Sequence, residues 1–343
     1  MKRLAVALAL LFVPSIALAD GPPSRWDRAK DPQIIEDYKL HVGAQQTFDR
    51  MYDARRSRPE RADLAEWYAR NLRVSLEAWH ADESPDVRLR FDLGRLLEEQ
   101  SEHGRAIKVL REAIAMAPDH PGVDEAWWYL GIACGHTGET ACEEHAYLEI
   151  LRIRTEDELR LTPMLNLAEV QMHEGRMKDS IASYQETLRV ATHLQASRSS
   201  ITTQILGRYG LAVAYDRAGD RPAAEREAKG AVEMALGVGH PLILHKNSVF
   251  FYPSYEVYYY DGLAAVALAR SAASAHDAAP LWAEAERKFA QYVRGAEARK
   301  DGADRFLGVA KGRQASCKAE REKAEKRRAK EPAPPRDDEE QHL

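Results

Sequence analysis

Cysteine is scarce in this chain. Three cysteines occur among 343 residues, which excludes a small domain held together by a disulfide framework. The formal net charge is −5, and the chain is 45% hydrophobic and 30% charged. This balance supplies enough apolar side chains for a core, and it argues against a general nucleic-acid-binding protein.

Catalytic signatures are missing as well. The sequence has no G-x-S-x-G motif, no P-loop and no G-x-G-x-x-G. His173-Glu174 begins an H-E-x-x-H zinc motif, but Met177 stands where the second histidine is required. His173 is instead predicted to end a helix before Gly175, where a cation is favoured. The sequence therefore predicts a protein that is not an enzyme and that needs no cofactor or metal.

Long hydrophobic runs are confined to the N-terminus. A basic start at residues 1–3 precedes an apolar run over 4–13 and an A-x-A site at 17–19, the pattern of a secretory signal peptide. We predict cleavage after Ala19; an uncleaved anchor is the alternative, although the run is shorter than the roughly 20 residues of a membrane span. Asp20 follows the site, so the lipoprotein cysteine is missing. We expect a bacterial periplasmic or secreted protein.

A repeat-like spacing runs from Val87 to Pro118. Its small and apolar positions are Leu93, Gly94, Leu97, Ala106, Leu110 and Ala113. This spacing resembles the tetratricopeptide repeat, whose pattern is W-x2-L-G-x2-Y, then A-x3-F, then P. The resemblance implies an all-α fold, a right-handed α-solenoid of stacked antiparallel helix pairs.

The spacing between small residues recurs further along the chain. It is the same from Gly94 to Ala106, from Ala168 to Ser180 and from Ala212 to Ala224. Helices that cross closely admit only small side chains at the crossing, which explains the recurrence. A unit that begins near Trp127 shares the first-helix pattern but has Glu143 where a small residue is expected.

These patterns predict a chain of eight segments. They are a signal peptide (1–19), a flexible lead-in (20–32), an N-terminal helical pair (33–82), a repeat array (83–236), a connector (237–254), a degenerate repeat (255–300), a capping helix (301–330) and a disordered acidic tail (331–343).

The resemblance also implies a concave groove that binds a peptide or helix of a partner protein. The same offset from each unit's small residue selects the groove positions Phe91, Arg95, Trp128, Tyr129, Ile132, Leu165, Asn166, Glu169, Tyr209, Gly210 and Val213. We therefore expect a protein-interaction scaffold of the cell envelope. Two alternatives stay open: a subunit of an envelope enzyme complex, and a structural module stabilised by a disulfide or a metal.

Four metal-ligand types lie close together in the sequence, at Cys134, His136, Cys142 and His145. Zinc takes four such ligands, but this spacing is not that of a known zinc site. In an oxidising compartment, a disulfide between Cys134 and Cys142 would join two helices. Buried free thiols and a metal site are the other interpretations. Cys317 is left as a free thiol, with an intermolecular link as the alternative.

Two further segments have both a structural and a functional interpretation. The aromatic run 250–260 either fills the junction between repeats or anchors a partner. The basic block 311–330 is interpreted as a solvated helix with local Glu/Lys pairs, and contact with an anionic membrane surface is the alternative.

Overall fold

The computed structural model describes residues 32–57, 62–246, 249–299 and 304–331. The predicted signal peptide and nearly all of the predicted lead-in and acidic tail lie outside these residues. Within the described ranges, no helix is both long enough and apolar enough to cross a membrane.

The described residues form thirteen α-helices and no strand. The helices are α1 (Pro32–Ser57), α2 (Ala62–Ala78), α3 (Val87–Glu99), α4 (His103–Met116), α5 (Val123–Thr137), α6 (Thr140–Ile153), α7 (Asp157–His173), α8 (Met177–His193), α9 (Arg198–Arg217), α10 (Arg221–Gly237), α11 (Val257–Ser271), α12 (Ala275–Glu297) and α13 (Leu307–Arg328). Two 3₁₀ turns, at Ile243–His245 and Ser254–Glu256, lie between α10 and α11. The predicted all-α class is confirmed.

The chain divides into two compact units, Met1–Leu89 and Arg90–Leu343. In the first unit, α1 packs against α2. Asp37 of α1 is fully buried and accepts hydrogen bonds from the Trp79 indole, at 2.6 Å, and from the Ser84 hydroxyl. A buried carboxylate thus orders the chain that follows α2, because an unpaired buried charge would be costly.

In the second unit, consecutive helices pack as pairs from α5 to α13. The small residues predicted at the crossings are buried there. Ala168 and Ser180 are fully buried, and the Ser180 hydroxyl donates to the Ala168 carbonyl at 2.7 Å. A Cβ on Gly94 would lie 2.5 Å from Leu110 Cγ, so the α3–α4 crossing has room for hydrogen alone. This stacking of helix pairs is that of a tetratricopeptide-like α-solenoid.

Capping residues set several helix starts. Ser197 and Ser200 form a reciprocal capping box at the start of α9. Asp220 accepts from the Ala223 amide at the start of α10, and Ser274 accepts from the Asp277 amide at the start of α12. These side chains satisfy backbone donors that the helices leave free, and they fix the turns between paired helices.

The C-terminal helix α13 is more than a solvated cap. It packs against α12 and buries Ala310, Arg313, Cys317 and Ala324. Arg313 forms an ion pair with Asp216 of α9, with Arg313 Nε 2.8 Å from Asp216 Oδ1. Local pairs such as Lys323–Glu320 occur on its exposed side, as predicted. The interpretation of this block as a solvated helix is therefore wrong for one face of the helix, which is buried. The sequence did not indicate this because the buried face carries small residues and an arginine, and lacks the usual stripe of large apolar residues.

Candidate functional site

The second unit contains a cavity of about 340 Å³. Most of its lining residues belong to α5, α7 and α9, the first helices of three successive pairs, and to the connector after α10. Residues from these elements that face it include Trp128, Ile132, Leu165, Asn166, Glu169, Leu206, Gly210, Phe250, Phe251 and Tyr252. The cavity size is within the range typical of small-molecule sites.

Some of the predicted groove residues meet in this cavity. Trp128, Ile132, Asn166 and Glu169 all line it, together with Leu165 and Gly210. These residues lie at the same number of positions from the small residue of their own unit. They therefore occupy equivalent turns of adjacent first helices and lie side by side. The offset rule therefore brings together residues of α5, α7 and α9.

The other predicted positions lie elsewhere. Phe91 packs against the His120 ring, with ring centroids 5.5 Å apart. Arg95 lies over the Tyr129 ring at 5.4 Å and pairs with Glu99 at 3.2 Å. These residues cover the surface between α3 and α5, outside the cavity.

Tyr209 and Val213 are buried in the core, with 4% and 1% of their surface exposed. They are inaccessible because they belong to the core cluster that α9 forms with residues of α11, which packs against it. Burial also raises the pKa of Tyr209 to about 12. In this arrangement a partner cannot reach either side chain.

The aromatic run is divided between the core and the cavity. Tyr259 is fully buried, and its ring meets those of Phe289 and Tyr292 edge-on at 5.2 and 5.1 Å. Phe250 instead stacks on the His136 ring at 4.0 Å. A Cβ on Gly138 would lie 2.2 Å from the Tyr252 ring, so the glycine makes room for that tyrosine. Part of the run thus fills the junction between repeats, as one interpretation predicted, and another part lines the cavity; that the run anchors a partner stays a prediction.

Three glutamates line the cavity: Glu98 of α3, Glu143 of α6 and Glu169 of α7. Glu143 of α6 lies against Gly135, where a Cβ would be 2.8 Å from Glu143 Oε1. Burial, and then the Glu169 carboxylate, raise the pKa of Glu143 to about 8. Burial, and then Glu256, raise the pKa of Glu169 to about 8, while Arg217 opposes this change. Arg217 is already paired with Glu256 at 2.6 Å, so no basic side chain of the described residues pairs with Glu143 or Glu169.

Tyr147 lies one turn from Glu143 on α6 and is linked to α7. Its hydroxyl accepts a hydrogen bond from Asn166 Nδ2 at 3.0 Å, and its interaction with Glu143 partly opposes the rise in the pKa of that carboxyl. Tyr147 is fully buried, so the bond to Asn166 fixes α6 relative to α7 next to Glu143. A fixed buried carboxyl loses less conformational freedom when it receives a ligand.

His173, at the end of α7, also lines the cavity. Its Nε2 atom is buried and has no hydrogen-bond partner among the described residues. Burial is the main cause that lowers the pKa of His173, which favours the neutral ring. The histidine of the broken zinc motif therefore presents an unused polar atom next to Glu169.

Cys134 and Cys142 form a disulfide that joins α5 to α6. The two histidines near them point apart: His145 packs edge-on against Trp127 at 5.1 Å, whereas His136 stacks against His103 at 4.2 Å. The four ligand types therefore do not converge on a metal. Cys317 is a free thiol and is 1% exposed, and burial raises its pKa to about 12.

Glu98, His103 and His136 place ligand atoms within 4.8 Å of one another. The two imidazoles stack with 11° between their planes, so their in-plane lone pairs run side by side and do not meet. Burial, and then His103, lower the pKa of His136 to about 4. This cluster is better described as a stack of neutral imidazole rings against which the Phe250 ring packs.

Sequence reasoning missed the carboxyl of α6 and the cover formed by the connector. Both had a signal: Glu143 is the residue that breaks the repeat pattern, and Phe250–Tyr252 begin the aromatic run. A departure from a packing pattern is informative, because packing alone would have selected a small residue there.

A model of the tetratricopeptide repeat matches residues 64–121 and 91–158. No curated protein matches the chain. The matched residues extend from α2 to the start of α7 and include the most regular helix pair, α3 and α4. The described residues thus form an all-α fold, and residues 64–158 are similar to tetratricopeptide repeats.

Proposed function

We propose that the protein is an exported scaffold of the bacterial cell envelope that binds a peptide or helix of a partner protein. Tetratricopeptide repeats typically mediate protein–protein interactions, and the match to this family supports a protein partner. The observation that carries the proposal is the cavity on the first helices α5, α7 and α9, where Trp128, Ile132, Leu165 and Asn166 meet. Apolar and amide side chains of this kind recognise extended or helical segments.

Export is supported by the N-terminal pattern, with its basic start, apolar run and A-x-A site. Cell fractionation followed by N-terminal mass spectrometry tests it. We expect a mature chain that begins at Asp20 in the periplasmic or secreted fraction. A cytoplasmic protein that keeps its first nineteen residues would contradict the export proposal and leave the binding proposal standing.

Photo-crosslinking tests partner binding directly. A photoreactive phenylalanine replaces Ile132 at the cavity, and the matched control replaces Leu148, which is 48% exposed on α6 and does not line the cavity. We expect a defined crosslinked protein from the cavity position and none from the control. A Trp128→Ala substitution should reduce the yield at Ile132 at least tenfold without changing the circular dichroism spectrum. Equal crosslinking at both positions would refute the proposal.

A further inference from the structure

The cavity has an unusual combination of walls. Trp128, Phe251 and Tyr260 supply aromatic surface, whereas Glu143 and Glu169 supply carboxyl groups. None of the described residues that line it is lysine or arginine. Aromatic faces and carboxylates are both attracted to positive charge, and the former interact best with cations that are only weakly hydrated.

Contacts within the described part of the chain do not neutralise these carboxyl groups. Within the described residues, no ion pair joins Glu143 or Glu169 to a basic side chain, and Arg217 is paired with Glu256. The charged and titratable groups around Glu169 come from every neighbouring element: Glu143 and Tyr147 of α6, Tyr184 of α8, Arg217 of α9, and Glu256 and Tyr260 around the start of α11. Burial without a paired cation favours the protonated form of Glu143 and Glu169.

His173 gives an independent indication of a ligand. Its buried Nε2 atom has no hydrogen-bond partner among the described residues, and His173 lines the same cavity. Buried polar atoms are satisfied in the great majority of cases, so an unused one marks a place for an incoming group. Glu143, Glu169 and His173 do not bring their ligand atoms within 4.8 Å of one another, a spacing too wide for one metal ion.

We propose that this cavity binds an organic cation, a primary amine or guanidinium group whose charge is held by Glu143 and Glu169 and whose carbon chain packs on Trp128 and Phe251. The inference rests on the proposed function, because the cation is either a free small molecule or a basic side chain of the partner segment. In both cases the recognised chemistry is the same.

Proton exchange provides a signature of this binding. The pKa of both carboxyls is raised to about 8, so at pH 7 each is mostly protonated. A bound cation favours the ionised form and expels a proton. Binding should therefore release protons at pH 7, and its affinity should increase between pH 6 and about 9.

Isothermal titration calorimetry with 1,4-diaminobutane and with agmatine tests the proposal, and 1,4-butanediol is the uncharged probe of equal length. We expect binding of the amines with proton release and no binding of the diol. Glu143→Gln and Glu169→Gln should each weaken amine binding at least tenfold. The matched control is Glu186→Gln, which removes an exposed carboxylate of α8 paired with Arg189 and should change nothing.

The source of the cation is decided by a second comparison. An acetylated, amidated Gly-Arg-Gly peptide that binds more tightly than agmatine assigns the site to a partner side chain, and the reverse order assigns it to a free amine. Failure of all charged probes to bind wild-type protein, or equal binding by wild type and both cavity variants, would overturn the proposal. In that event, a partner crosslinked at Ile132 would still support the proposed protein–protein interaction. The two experiments can therefore refute the two proposals independently.

Discussion

The ion pair between Asp216 and Arg313 gives the sharpest test of how the C-terminal helix is held. Their side chains are 0% and 5% exposed. Asp216 accepts two bonds from Arg313 Nε, at 2.8 and 2.9 Å, and one from the Tyr259 hydroxyl at 2.6 Å. Removing one partner of such a pair leaves a buried charge without compensation, which costs about 3–5 kcal/mol.

Asp216→Asn makes this change with almost no change in volume. Glu225 lies 3.6 Å from Arg313 Nη1 and compensates part of the charge, so we expect a loss at the lower end, about 3 kcal/mol. The control is Glu297→Gln, which breaks an ion pair with Lys311 whose side chains are 48% and 52% exposed. Exposed pairs contribute about 0–1 kcal/mol, so this variant should resemble wild type.

The assay is urea denaturation followed by circular dichroism, with the free energy of unfolding compared at constant slope. The double variant Asp216→Leu, Arg313→Met removes both charges and should recover most of the loss, because apolar replacements of a buried pair are often neutral. A loss below about 1 kcal/mol for Asp216→Asn, or no recovery in the double variant, would refute the reasoning.

Three further predictions concern packing, the disulfide and pH. Gly210→Ala places a Cβ 2.3 Å from the buried Tyr184 ring and should lower the free energy of unfolding by about 1–3 kcal/mol. Gly312→Ala is the control: its Cβ would have no heavy atom within 4 Å, so it should raise the free energy of unfolding by up to about 1 kcal/mol. Thermal unfolding of both variants distinguishes these outcomes. The double variant Cys134→Ser, Cys142→Ser opens a bridge of sequence separation 8 and should lose roughly 2–3 kcal/mol, and alkylation of the unfolded, unreduced wild type should label Cys317 alone. Folding raises the pKa of the Glu169 carboxyl, so this group contributes its full stabilisation below its unfolded pKa of about 4.5 and loses it as pH rises through about 8. The Glu169→Gln variant should therefore become more stable relative to wild type between pH 5 and 8.5, by on the order of 1 kcal/mol or more. Parallel pH dependence of the two proteins would contradict this last prediction.

The helix pairs could be predicted from the sequence because packing imposes a strict requirement at each crossing. Gly94, Ala168 and Ala212 are small because a second helix passes over them, and that requirement repeats with the units. The shared offset also selected Trp128, Ile132, Asn166 and Glu169, which meet in one cavity. Local periodicity contains this information because both partners of each contact belong to the same or adjacent units.

Contacts between distant segments could not be predicted in this way. Arg313 is one basic residue among many in its helix, and nothing nearby in the sequence indicates that Asp216, far upstream, is its partner. The burial of Tyr209 and Val213 depends on α11, which follows an irregular connector and is not placed by the repeat spacing. The same connector determines which part of the predicted groove is covered.

The contact of Phe250 with His136 has a thermodynamic consequence for any ligand that needs the same surface. Because the connector is tethered at both ends, its aromatic side chains are present at an effective concentration on the order of millimolar. An incoming segment must therefore displace an internal competitor, and its apparent affinity is reduced by the fraction of molecules in which the surface is free. If the protein binds a partner segment here, as proposed, segments with only weak affinity for this surface would be excluded by the chain's own aromatic residues.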